Sequence, residues 1–185
     1  MIEQLKTWDY ELFRWLNGTH NSFFDFLMPW VSNKWIWVPL YLLLFYAMVK
    51  YSPFKLWQIL LGCIVLIFFS DQLASGVLKP WVGRLRPCYD PILSGKVHLL
   101  KGCGGQYGFA SSHAANSFAV ATFCFMMLKP HFKKLHWLFF WAAFVAYSRV
   151  YMGVHFFGDI LVGAIIGLAA GLVSFELMKF LNRKT

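Results

Sequence analysis

His155 and Asp159 stand four residues apart, so on a helix they share a face and the carboxylate can accept a hydrogen bond from one imidazole nitrogen. The other nitrogen stays free, and an imidazole oriented in this way is a competent nucleophile toward phosphorus. A second histidine, His113, could protonate the departing oxygen and then take a proton from the water that hydrolyses a phosphohistidine. Lys79, Arg86 and Arg149 are donors suited to phosphate, the arginine forks being able to hold two oxygens at once. Ser111 and Ser112 open an apolar run, where the unpaired N–H groups and positive end of a helix make an anion site. Helix capping alone would explain an isolated serine there, but with the lysine and arginines expected at the same end the phosphate reading is preferred. The chemistry of the whole set would be hydrolysis of a phosphate ester.

Elements far apart in the chain must bring these residues together. The sequence has 185 residues, of which 59% are hydrophobic and 20% aromatic, with a net charge of +9. A soluble fold of this length does not need so much apolar surface, and several runs approach the roughly 17–25 residues that cross a bilayer. The expected architecture is an all-α, polytopic membrane bundle of five spans, at about Trp35 to Val49, Leu56 to Leu78, Ser112 to Leu128, Leu135 to Met152 and Gly158 to Leu181. Residues 1–33 precede it as amphipathic or interfacial helices. In the first, Leu5, Trp8, Leu12, Trp15 and Leu16 recur at helical spacing with charges on the other face; Phe23 to Val31 is too short to span. Residues 34–185 form the bundle. The opening stretch is charged and lacks a cleavable signal pattern, so the mature chain is expected to begin at Met1.

The five spans sort the loops into two sides. Lys50, Lys55, Lys129, Lys133, Lys134, Lys179, Arg183 and Lys184 gather on one, which the positive-inside rule makes cytoplasmic. The clusters Lys79 to Pro87, Ala110 to Asn116 and Ser148 to Asp159 all fall at the other side, expected to face the periplasm. Arg84 is also there, at a span end where a cation needs an anionic partner. Cys88 and Cys103 share the outer loop, where an oxidising compartment would permit a disulfide worth roughly 3 kcal/mol in the chain-entropy treatment. Two free thiols are the alternative. Zinc finds poor support, since His98 is the one further good ligand in that loop, and no metal or other cofactor is expected. Asp71, buried in the second span, is either a partner for an active-site base or an acid bonded to serine or backbone within the bundle.

The three clusters resemble the three-part signature of the type 2 phosphatidic acid phosphatase and vanadium haloperoxidase superfamily. Lys79 with Arg86 and Pro87, and Ser148 and Arg149 with His155 and Asp159, keep the family's residues and spacing. The middle cluster keeps Ser111 and His113 but has Ala110 for the family's proline and Ser112 for its glycine. The resemblance implies that Lys79, Arg86, Ser111, Ser112 and Arg149 bind phosphate, that His155 attacks with Asp159 orienting it, and that His113 is acid and base. It implies a bacterial inner-membrane enzyme acting on a lipid phosphate. The first-choice substrate is undecaprenyl diphosphate; a lipid A, phosphatidic acid or phosphatidylglycerophosphate phosphatase is the alternative. A headgroup binder or translocator without catalysis is the alternative of another class. The expected partners are a lipid substrate and the bilayer, with no nucleic acid and no obligate protein partner.

Overall fold

Three glycines four residues apart in the last helix, Gly163, Gly167 and Gly171, set the spacing at the centre of the molecule. A Cβ added at Gly163 would sit 3.0 Å from Ala114 Cβ, at Gly167 2.8 Å from Ala119 N, and at Gly171 2.6 Å from Thr122 Cβ. Small residues at this period let two helix backbones approach closely, the packing mode that works where lipid replaces water. They draw α8 (Phe157–Asn182) onto α6 (Ser112–Leu128). The two helices also start together, because Ser111 N donates to Asp159 O at 3.0 Å.

The computed structural model describes residues 1–183; Lys184, expected on the basic side, lies outside them. The described residues form an all-helical bundle. Two short helices, α1 (Ile2–Gly18) and α2 (Ser22–Val31), precede α3 (Val38–Tyr51) and α4 (Leu56–Asp71). A π-helical stretch, Gln72–Leu78, carries α4 into α5 (Lys79–Val82), and α7 (Trp137–Tyr151) stands between α6 and α8. Gly83, at φ +62°, ends α5 in the left-handed conformation that glycine adopts without strain, its N–H bonded to Lys79 O at 3.1 Å. The second span therefore continues past its expected end at Leu78.

Two segments, Leu56–Val82 and Phe157–Asn182, are long and apolar enough to cross a membrane. The other three expected spans are shorter, with 14 residues in α3, 17 in α6 and 15 in α7. At about 1.5 Å per residue they fall short of a core of about 30 Å. α6 keeps its expected bounds, whereas Trp35, expected to open the first span, lies in the 3-10 turn Lys34–Trp37, and Leu135, expected to open the fourth, lies in the turn before α7. Leu42, Ile64, Phe68, Phe140, Ile165 and Val173 point outward, as they would where the surrounding solvent is hydrocarbon. Inside, Leu44, Met48, Ile59, Phe123, Leu128 and Met178 share one core. The basic ends of the helices also meet, since Tyr51 packs on Phe132 at 5.2 Å and Phe54 on Phe175 at 6.3 Å.

α1 differs from its expected form in one respect. Leu5, Trp8 and Trp15 are exposed, but the opposite face is not wholly solvated. Phe13 is buried against Phe156 at 5.3 Å between ring centres, and Asn17 is 1% exposed. Asn17 Nδ2 donates to the carbonyls of His98, Val150 and Tyr151, and its Oδ1 accepts from His98 N at 2.8 Å. One stripe of the helix thus packs Phe13 and Asn17 into the protein, while Leu5, Trp8 and Trp15 stay exposed on the other.

Candidate active site

The outer loop is tied down before it reaches the site. Arg86 N bonds Gln106 O at 3.1 Å and Gly108 N bonds Arg84 O at 2.9 Å, a ladder that lays residues 84–86 beside 106–108. Cys88 and Cys103 are disulfide-bonded with Cα atoms 6.2 Å apart, closing the loop between these two segments. Arg86 then turns inward, 9% exposed, with Nε donating to Tyr107 O at 3.3 Å.

At the start of α8, His155 and Asp159 are both buried, and His155 Nδ1 donates to Asp159 Oδ2 at 3.2 Å. The same oxygen accepts from Phe156 N at 3.0 Å. A carboxylate can only accept, so this bond fixes the proton on Nδ1 and leaves Nε2 with its lone pair. Burial pushes the His155 imidazole down from 6.5 to about 4, with Arg149 and Arg86 adding to the fall and Asp159 opposing it. The ring is therefore neutral at physiological pH. If His155 must be neutral to react, kcat/KM holds as pH falls to about 4 and declines below it, rather than declining near 6.5. A pH–rate profile on a substrate that does not titrate in that range checks this.

The other predicted residues gather around this pair. His113 is within electrostatic range of Arg149, His155, Lys79 and Arg86, and Lys79 within range of Arg86, Asp71, Arg149 and Asp159. Lys79 Nζ donates to Ser112 Oγ at 2.7 Å and to Ser75 Oγ at 3.0 Å. The serine that stands where the family's glycine would be thus turns its hydroxyl toward the lysine. Ser111 occupies the N-cap position of α6 without making a side-chain cap bond. Its hydroxyl is fully buried and, among the described residues, has no hydrogen-bond partner. Arg149 bonds Ser32 Oγ through Nη1, while its buried Nε has no partner among the described residues. Unmet donors of this kind cost stability unless something accepts from them. Lys79, Arg86 and Arg149 thus lie around His113 and His155, and Ser111 opens α6 beside Asp159, whose carbonyl its N–H meets.

Residues 55–183 match the PAP2 superfamily. The chain belongs to that superfamily. It is 39% identical over 171 residues to a lipid A 4′-phosphatase of Bacteroides thetaiotaomicron, covering 90% of this chain and 75% of that protein. A lipid A 4′-phosphatase of Porphyromonas gingivalis is 34% identical, with 86% and 68% covered. Among solved structures, LpxE of Aquifex aeolicus superposes with a TM-score of 0.68 at 29% identity, over 90% of this chain and 94% of that one. A transmembrane PAP2-type phosphatidylglycerolphosphate phosphatase of Bacillus subtilis gives 0.64 at 26% identity, over 98% and 87%. Like these PAP2 relatives, this protein is a membrane lipid phosphatase, a hydrolase of phosphoric esters.

Several contacts at the PAP2 site were not singled out from sequence. Ser32, on the turn after α2, receives Arg149, and Ser75, within the π-helical stretch, meets Ser112 Oγ at 2.5 Å. Asp71 accepts from Asn116 Nδ2 at 3.4 Å, and Asn116 Oδ1 accepts from Ser70 Oγ at 2.6 Å. Among the described residues its hydrogen-bond partner is that amide and not a base. Gly108 lets the loop pass over the histidine, since a Cβ there would lie 2.9 Å from Asp159 Oδ2 and 3.5 Å from His155 Nδ1. Gly108→Ala should therefore cost about tenfold in kcat with little change in the amount of folded protein. Steady-state kinetics and thermal melting check both parts.

His98 has partners that its own loop does not show. Its Nε2 lies 2.8 Å from Asp25 Oδ1, and its ring stacks on His20 at 3.7 Å. Tyr151 donates to the same Asp25 oxygen at 2.6 Å. The cluster fastens α2 to the outer loop and α7.

Proposed function

We propose that the protein removes a phosphate from lipid A at the periplasmic face of the inner membrane, through a phosphohistidine formed on His155. The observation that carries the reading is a pair of buried donors without a partner among the described residues, Ser111 Oγ at the N-cap of α6 and Arg149 Nε on α7, on two residues that neighbour the His155–Asp159 pair. Lys79, Arg86, Ser111, Ser112 and Arg149 hold the phosphate oxygens. His155 attacks phosphorus, Asp159 keeps its ring in place, and His113 protonates the leaving oxygen before activating water.

One feature favours lipid A, and a second fits a lipid of any of these classes. The two curated relatives with the highest identity quoted above are named lipid A 4′-phosphatases, which moves the choice away from undecaprenyl diphosphate. A cavity of about 600 Å³ runs from Ser112 and His113 along Tyr41, Phe45, Leu66 and Val120, and an acyl chain can lie in it while the phosphate meets the cations. The outward orientation rests on the basic residues gathered at the other end of the bundle.

Phosphate release by purified protein from lipid A, undecaprenyl diphosphate, phosphatidylglycerophosphate and phosphatidic acid tests the proposal. The highest kcat/KM is expected for lipid A. A clear preference for another member of the panel overturns the substrate, and binding without release from any of them favours a headgroup binder.

A further inference from the structure

Arg84 is a part-buried cation beside Asp159 that the phosphate cradle does not use. Its Nη1 donates to Asp159 Oδ1 at 3.0 Å, and its Nη2 donates to Asp9 Oδ2 at 2.7 Å. The guanidinium also lies 4.0 Å from the ring centre of Phe156, a stacking that fixes its plane. Asp9 comes from α1, some 75 residues upstream, and its second oxygen accepts from Gly158 N at 2.8 Å. A Cβ at residue 158 would sit 2.8 Å from Asp9 Oδ2, so any larger residue there would push the Asp9 carboxylate out of this place. The three side chains are 14%, 22% and 0% exposed for Asp9, Arg84 and Asp159. Removing one partner from an ion pair shielded to this degree leaves an uncompensated charge, which costs more than it does at the surface.

The two oxygens of Asp159 have separate tasks. Oδ2 faces His155 and Phe156 N, while Oδ1 is occupied by Arg84. A carboxylate bound through one oxygen alone could rotate and lose the imidazole. Arg84 stops that rotation, and Asp9 stops Arg84 from swinging toward the cradle, where a fourth cation would compete for the same oxygens. Between two carboxylates, Arg84 presents no uncompensated charge to a phosphate, unlike Lys79, Arg86 and Arg149.

We infer that Asp9 and Arg84 are positioning residues for the hydrolysis, forming a relay from α1 through Arg84 to Asp159. The segment 1–33 thereby supplies part of the catalytic unit and is more than a membrane anchor or lipid entrance. The inference rests on the reading of His155 as nucleophile and Asp159 as its orienting group.

The test measures kcat and KM for phosphate release with the full-length protein in detergent, for Asp9→Asn, Asp9→Glu, Arg84→Gln and the Asp9→Asn/Arg84→Gln double variant. Asp9→Asn should lower kcat about tenfold and Arg84→Gln on the order of 10²-fold, with KM nearly unchanged, as expected when a reacting group is misplaced. The double variant should be no worse than Arg84→Gln, since Asp9 acts through Arg84. Asp9→Glu should recover most of the activity. Tyr10→Phe serves as a control for docking: it removes the Tyr10–Asp90 bond that also holds α1 and should leave kcat intact. A wild-type kcat in Asp9→Asn, effects that multiply in the double variant, a loss confined to KM, or an equal loss in Tyr10→Phe would each overturn the relay. His155→Ala is assayed alongside. If it still turns over, the nucleophile assignment fails and takes the relay with it; if it is inactive while Asp9→Asn is normal, the relay alone fails.

Discussion

His155→Ala should lower kcat by on the order of 10⁴-fold or more while the protein still binds its lipid. Losing a nucleophile removes the covalent route altogether, whereas the cradle that positions the phosphate stays in place. The expected residue of activity comes from that cradle alone. His155 is also 2% exposed and bonded to Asp159, so an alanine leaves a cavity and a carboxylate with one donor fewer. His155→Gln keeps more of the volume and should be equally inactive. Phosphate release and lipid binding, measured on both variants, separate chemistry from folding, because a folding defect would take binding and release down together.

Arg149→Lys should cost about 10²–10³-fold in kcat, the range seen when one preorganised donor to a developing negative charge is lost. Lysine keeps the charge and loses the fork, and with it Nε, the buried donor without a partner, and the bond from Nη1 to Ser32. The same substitution should weaken the protection that vanadate, a phosphate mimic, gives against heating. An anion that binds the folded state raises Tm in proportion to the logarithm of its concentration over Kd. Wild type should therefore show a vanadate-dependent rise in Tm that Arg149→Lys largely lacks. A variant with normal kcat and a normal vanadate response would remove Arg149 from the phosphate site.

The sequence is informative wherever a requirement is local or recurs at a fixed spacing. His155 and Asp159 sit one helical turn apart, and their bond follows from that spacing. The apolar runs announce an all-helical bundle because hydrocarbon leaves the backbone few other options. The three polar clusters could be placed at one end of it because span counting alternates the ends. Length was less legible. α6 keeps its expected bounds, but α3 and α7 came out shorter than the apolar runs suggest, since residues near their ends turn away to form connections. The π-helical stretch that aims Ser75 and Lys79 at Ser112 has no marker in composition. Contacts from far along the chain were the least legible. Nothing local says that Asp9 will meet Arg84 or that Ser32 will meet Arg149. Arg84 did signal that a partner was missing, as a cation at a span end with no acid beside it. Gly108 could have been suspected only as one glycine among several in the loop, because its reason is an approach to Asp159 across the fold.

Rapid quenching of the reaction with lipid A labelled in its phosphate tests the central claim most directly. The account predicts a labelled protein that forms before free phosphate, with the label stable in alkali, labile in acid and located on the peptide that contains His155. Label should be absent from His155→Ala. Turnover by wild type with no labelled protein at any time, or label on a residue other than His155, would contradict it.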